Sequence, residues 1–180
     1  MEDKFLKIAV TTQWALEGEA GRIVSLLLDE GFDYVHLRKP EWSPDHMEDL
    51  IRRIPSELHG RLVLHDCHEL APKYGLGGIH LNNHNLSPRD GVTYSVSCHS
   101  LEEIDKYPDA RYLFLSPIFD SISKPGYLSA FDLYKIKPRI TGKRVVALGG
   151  VTTDKIPLLK TAGFYGAAML GGIWQHPTPN

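Results

Sequence analysis

The chain has 180 residues, 42% of them hydrophobic, and its 20 Lys and Arg against 22 Asp and Glu leave a net charge of −2. That is enough chain for one globular core over residues 1–180, with neither the basic surplus of a nucleic-acid binder nor an apolar run of membrane-spanning length. The opening MEDKFLKIAVTTQ lacks a secretory signal's apolar stretch, so the expected compartment is the cytoplasm.

Strand and helix signals alternate from end to end. The first strand signal, LKIAVTT, is followed by GRIVSLLLDEG, which places Ile23, Leu26 and Leu27 at i, i+3 and i+4 and stops at Gly31. After the strand DYVHLRKP comes SPDHMEDLIRRIP, with Ser43 as cap, Pro44 in the first helical position and a close before Pro55. RLVLHD and GGIHL read as strands three and four, and the NNHNLSPRDGV that follows is too short and polar for a full helix. TYSVSCH, a fifth strand, runs into Ser100, which stands three residues before Glu103 at capping-box spacing. YLFLSP, RVVALGG and GAAMLGG complete the set; the helical TTDKIPLLKTAG between the last two has Pro157 confining its first turn. Pro177 and Pro179 leave no eighth helix at the end. Eight strands with crossovers predict a compact (β/α)8 TIM barrel with its last helix short or missing; a doubly wound open sheet is the alternative.

In a barrel, functional groups belong at the C-terminal strand ends. Those ends carry His36 and Arg38, His65 and Asp66, His80, Ser97 and His99, and further on Ser121, Ser123 and Lys124. Alternation sends His36, Arg38, His80 and His99 into the lumen, because Val35, Leu37, Ile79, Leu81 and Cys98 face the helices. Gly149-Gly150 and Gly171-Gly172 end strands seven and eight, the frequent phosphate position of such barrels, where glycine admits close backbone approach. Cys67 and Cys98 form no CxxC or zinc-ligand pattern.

Taken together, YVHLRKP, LVLHDCHELA, GIHLNNHNL, YLFLSPIFDSISKPG, VVALGGV and GAAMLGGI resemble, in order and spacing, the motifs of the thiamine phosphate synthase/TenI superfamily of small phosphate-binding barrels. For the synthase branch, the resemblance implies that Arg38, Asp66 and Lys124 handle a pyrophosphate with Mg2+. Against it, Asn85 stands where a second magnesium-binding Asp is usual, Pro40 replaces a Lys, His36 a Gln and His65 an Asn. An amide is a poorer ligand than a carboxylate for so hard a cation. Lys39 does not fill the gap, since its side chain should leave the strand on the other side.

SCHSLEEI resembles the TenI-type thiazole tautomerase segment whose histidine is the acid–base residue, and LNNHNL resembles that branch's fourth-strand end. Moving a proton between two atoms of a thiazole suits an imidazole near neutral pH. The leading expectation is therefore a thiazole tautomerase with no cofactor. In it His99 transfers the proton, His36, Arg38, His65, His80, Ser97, Ser121, Ser123 and Lys124 line the substrate site, and Gly149, Gly150, Gly171 and Gly172 hold its phosphate. The alternatives are a thiamine phosphate synthase using Mg2+ through Asp66, and a non-catalytic binder of thiazole or thiamine phosphate. A histidine-ligated metal hydrolase on His36, His65, His80 and His99 is a further option, disfavoured by the absence of HxH spacing on any strand. A homodimer covering the flank left by the missing helix is expected by family habit.

Overall fold

The strands close on one another, each parallel to its neighbours. In the computed structural model, which describes residues 4–120, 126, 129 and 131–174, they are β1 (Leu6–Val10), β2 (Tyr34–Leu37), β3 (Leu62–Leu64), β4 (Gly78–Leu81), β5 (Tyr94–Cys98), β6 (Leu113–Leu115), β7 (Val145–Ala147) and β8 (Gly166–Met169). They run in sequence order around a closed barrel. Closure is made by β8 on β1, in register from Leu6 opposite Gly166 to Ala9 opposite Met169. The chain is thus a (β/α)8 barrel, and the open-sheet alternative falls away.

Alternation along the strands makes two cores. Ala9, Val35, Leu37, Leu64, Ile79, Leu81, Val96, Cys98, Leu115 and Met169 face outward into the larger apolar core under the helices. Fully burying each Val, Leu, Ile or Met side chain among them is worth roughly 1.5–3 kcal/mol before entropy is counted. The inward set, Ile8, Val10, Tyr112, Phe114, Val146 and Ala168, packs the lumen. It comes from β1, β6, β7 and β8 and from Tyr112, just before β6. The inward positions of β2, β4 and β5 instead carry His36, His80 and Ser95, all buried. The lumen therefore has an apolar half and a polar half.

The helices are α1 (Glu19–Leu28), α2 (Pro44–Arg52), α3 (Leu70–Tyr74), α4 (Leu101–Ile104), α5 (Leu133–Ile140) and α6 (Ile156–Thr161). In α1, Ile23, Leu26 and Leu27 are buried as their spacing requires, although the helix stops at Leu28, short of Gly31. α2 begins as its sequence predicts: the Ser43 hydroxyl accepts from the His46 N–H, Pro44 follows, and Met47, Leu50 and Ile51 are buried. No helix joins β4 to β5; an antiparallel bridge between Asn82 and Asn85 tightens that connection. A 3-10 turn, Thr153–Lys155, precedes Pro157 and α6.

Among the described residues no helix follows β8. The buried Trp174 donates its indole N–H to the Val10 carbonyl at 2.6 Å, and the Arg22 guanidinium donates to the Ile173 carbonyl at 3.0 Å. The chain itself thus covers the β1 side of that flank. Lys39, two residues beyond β2, turns its side chain to the connection after β1, where its ammonium donates to the Trp14 carbonyl. Fully buried, it pairs with Glu19 at 2.6 Å and so ties the loop after β2 to the start of α1. No helix among the described residues is long and apolar enough to cross a membrane.

Candidate active site

The polar half of the lumen forms a floor. Nδ1 of His36 lies 2.9 Å from Nε2 of His65, and Nε2 of His36 lies 2.8 Å from the Tyr112 hydroxyl. The His65 and His80 rings stack with centroids 4.2 Å apart. Nδ1 of His80 meets the Ser95 hydroxyl and its Nε2 the Ser97 hydroxyl, both at 2.8 Å. Burial pushes the His36 and His65 pKa values well below the usual imidazole range, and neighbouring histidine charge adds to the shift. For His65 the Arg38 guanidinium acts in the same direction. His80 is pushed down to about 3, mainly by burial and then by His68. All three imidazoles are neutral at physiological pH. Ser95 shares the alternation of Ser97 and His99 along TYSVSCH, whereas Tyr112, just before β6, carries no strand-end signal in the sequence.

The rim is different. His99, the residue after β5, is exposed, with its Nδ1 3.3 Å from both the carbonyl and the hydroxyl oxygen of Ser116. Nδ1 can donate to the carbonyl or accept from the hydroxyl; in the tautomer that donates to the carbonyl, Nε2 keeps the lone pair. The start of α4 fixes the backbone here. The Ser100 hydroxyl accepts from the Glu103 N–H, and the Glu103 carboxylate reaches back to accept from the N–H of His99 at 2.6 Å. A capping box normally returns to the cap residue; here it clamps the residue before it.

Across the mouth, Arg38 and Asp66 are half-buried. Cys67, next to Asp66, has a left-handed backbone with φ 54°, an uncommon conformation for a side-chain-bearing residue. The buried His68, which the sequence reading passed over, accepts at Nδ1 from the Asn85 amide and donates from Nε2 to the His65 carbonyl, both at 3.0 Å. Asn85 therefore braces β4's end against β3's end. For a magnesium site this leaves Asp66 as one carboxylate with an engaged amide opposite, so the residues fit a paired-carboxylate site only in part. Ser121, Ser123 and Lys124 lie outside the described residues.

The two glycine turns also differ. A Cβ on Gly150 would lie 2.2 Å from the Asp120 carbonyl oxygen, and one on Gly149 2.9 Å from Pro117 Cα; both glycines have left-handed φ. These two glycines are demanded by the loop after β6 packing onto them. At Gly171 and Gly172 an added Cβ would meet nothing within 4 Å among the described residues. Among the described residues, no backbone acceptor is met by the N–H of Gly149, Gly150, Gly171 or Gly172.

A (β/α)8 barrel with its ionisable groups gathered where the strands end has the architecture of an enzyme that works at the barrel mouth. The particular family follows from likeness: the thiamine monophosphate synthase (TMP-TENI) family model matches residues 8–173, and the chain belongs to that family, placing it in thiamine biosynthesis. It is 27% identical over 169 residues to the thiamine-phosphate synthase of Serratia proteamaculans, covering 86% of this chain and 80% of that one. The thiamine phosphate pyrophosphorylase of Bacteroides thetaiotaomicron superposes with a TM-score of 0.84 at 33% identity, over 98% of this chain and 89% of that one. One from Pyrococcus furiosus, at 18% identity and a TM-score of 0.74 over 93% and 86%, shares the fold.

Proposed function

We propose that the chain is the thiazole tautomerase of this family: it binds a thiazole carboxylate phosphate at the barrel mouth and moves one proton to aromatise the ring. The observation that carries this reading is His99, exposed at the mouth, with its backbone clamped by Glu103 and its ring turned so that Nδ1 faces Ser116. Nε2 takes a proton from one substrate atom, and the resulting imidazolium returns it to another, so the step balances with no oxidant or metal. Arg38 and Lys124 neutralise the carboxylate. Gly171 and Gly172 present backbone N–H groups to the phosphate; their open surroundings support this role more than those of Gly149 and Gly150 do. His36, His65 and His80 support the site from beneath, and Ser97 bridges floor and rim.

The second reading is thiamine phosphate synthase, favoured by the names of the relatives. In it Asp66 would hold Mg2+, which supplies charge neutralisation for a departing pyrophosphate, and Arg38 would bind that pyrophosphate. Asn85, engaged with His68, weakens it. A side-by-side assay decides: tautomer conversion without magnesium, and pyrimidine–thiazole coupling with it. Conversion with negligible coupling is expected, and robust coupling without conversion would reverse the assignment.

A further inference from the structure

The floor of the barrel has a geometry that proton transfer at His99 does not use. His36 from β2, His80 from β4 and His65, which directly follows β3, converge from three adjacent strands. One nitrogen from each lies within 4.8 Å of the others. HxH spacing on a single strand was never needed, because neighbouring strands in register do the same work: Leu64 pairs with Ile79, and His65 and His80 come next along each strand.

We propose that His36, His65 and His80 form a three-nitrogen binding site for a late first-row divalent cation, Zn2+ foremost, inside the barrel lumen. Bonds of ~2.0–2.1 Å in a tetrahedron put donor nitrogens ~3.4 Å apart. The 2.9 Å separation of the facing His36 and His65 nitrogens and the 4.8 Å limit of the set bracket that value, so small ring movements suffice. The donor set is all imidazole, which suits Zn2+, Co2+, Ni2+ or Cu2+ and disfavours Mg2+ or Ca2+.

The proton count also works. Without a metal, one proton must lie between Nδ1 of His36 and Nε2 of His65. On binding, His36 takes the Nε2–H tautomer and donates to Tyr112, and His65 takes the Nδ1–H tautomer, freeing both facing lone pairs. His80 keeps one serine as acceptor for its N–H while its other nitrogen turns to the metal. Tyr112 and Ser95 or Ser97 thus orient the ligands as outer-shell partners. The inference is independent of the tautomerase reading, since His99 and the glycine turns take no part in it.

The test uses the full chain without a histidine tag, stripped with chelator, dialysed and reloaded with Zn2+ or Co2+. About one metal per chain is expected, with the visible d–d bands of four-coordinate Co2+ and a higher unfolding temperature. His36→Gln and His65→Asn keep hydrogen-bonding side chains, and each should lose at least tenfold in affinity. Loss of the exposed His46 or His84, as His46→Ala or His84→Ala, should change nothing. Fewer than about 0.2 metals per chain, or binding that survives both floor variants, overturns the proposal. If the floor variants do not fold, X-ray absorption of the Co2+-loaded parent decides: three imidazole ligands support the site, and none removes it.

Discussion

His36 and His80 on one side and His99 on the other are imidazoles of the same barrel end, yet they occupy opposite environments. Both nitrogens of His36 and of His80 are bonded inside the protein and their rings are fully buried, whereas His99 is exposed and directs one nitrogen at Ser116. A titratable group at a strand end is therefore not yet a substrate group; depth, and which nitrogens are already engaged, separate the two. Floor variants should cost stability, and rim variants should cost rate or affinity.

The largest separation should come from His99→Asn. General acid–base transfer contributes typically 10²–10⁴-fold, or roughly 3–5.5 kcal/mol of barrier. The amide keeps a polar side chain but cannot shuttle a proton, so single-turnover tautomer conversion should slow by about that factor while the unfolding temperature stays put. A rate within about threefold of the parent would return His99 to the status of a lining residue.

Acid should expose the floor. In the unfolded chain its histidines titrate near 6.5, whereas burial holds all three well below that in the fold, His80 at about 3. Below pH 6.5 the unfolded chain binds more protons, so the stability is complete above that pH and is lost as pH falls. The loss is at most about 1.4 kcal/mol per pH unit for each histidine until its folded pKa is reached. Urea midpoints of chelator-treated protein between pH 7 and 4.5 should show this slope, and His80→Gln should flatten it. An unchanged slope would mean that the floor admits protons.

The glycine turns sharpen the contrast further. Gly150→Ala places a methyl at φ 60° against the Asp120 carbonyl; the left-handed backbone alone costs roughly 1–2 kcal/mol, and moving the loop adds more. A Cβ at Gly171 meets nothing within 4 Å among the described residues, so Gly171→Val should fold normally and weaken binding of phosphate or a phosphorylated thiazole by at least tenfold. Thermal melts and calorimetry on the pair check both halves; a normally stable Gly150→Ala or an unchanged affinity in Gly171→Val would break the distinction.

Much of this was legible in the sequence because it rests on local rules. Ser43 and Pro44 marked the start of α2, and Ser100 with Glu103 fixed where β5 gives way to α4. What lay beyond reach depends on closure. Only when β2, β3 and β4 pair in register do His36, His65 and His80 meet, and only the curvature of the barrel brings Tyr112 across to His36, 76 residues earlier in the chain. Nothing in ALGGV reveals that Pro117 and Asp120 pack on Gly149 and Gly150.

The smallest expected effect is also the most specific to the floor. Tyr112 is buried, and burial raises its pKa, so its hydroxyl stays protonated and can either donate to His36 or accept from it. Tyr112→Phe keeps the ring and its stacking on Phe114 at 5.9 Å while removing one oxygen. Nε2 of His36 then loses its partner inside a packed lumen, where an unsatisfied polar group costs about 1 kcal/mol or somewhat more. Part of that cost is recoverable, because His36 can present Nε2 as the bare acceptor and keep its proton on Nδ1 toward His65. A stability loss of about 1 kcal/mol by urea unfolding is therefore expected, with tautomer conversion within about threefold of the parent. A tenfold slower reaction in a variant of parental stability would contradict the division, because a hydroxyl on the floor would then be acting on chemistry at the rim.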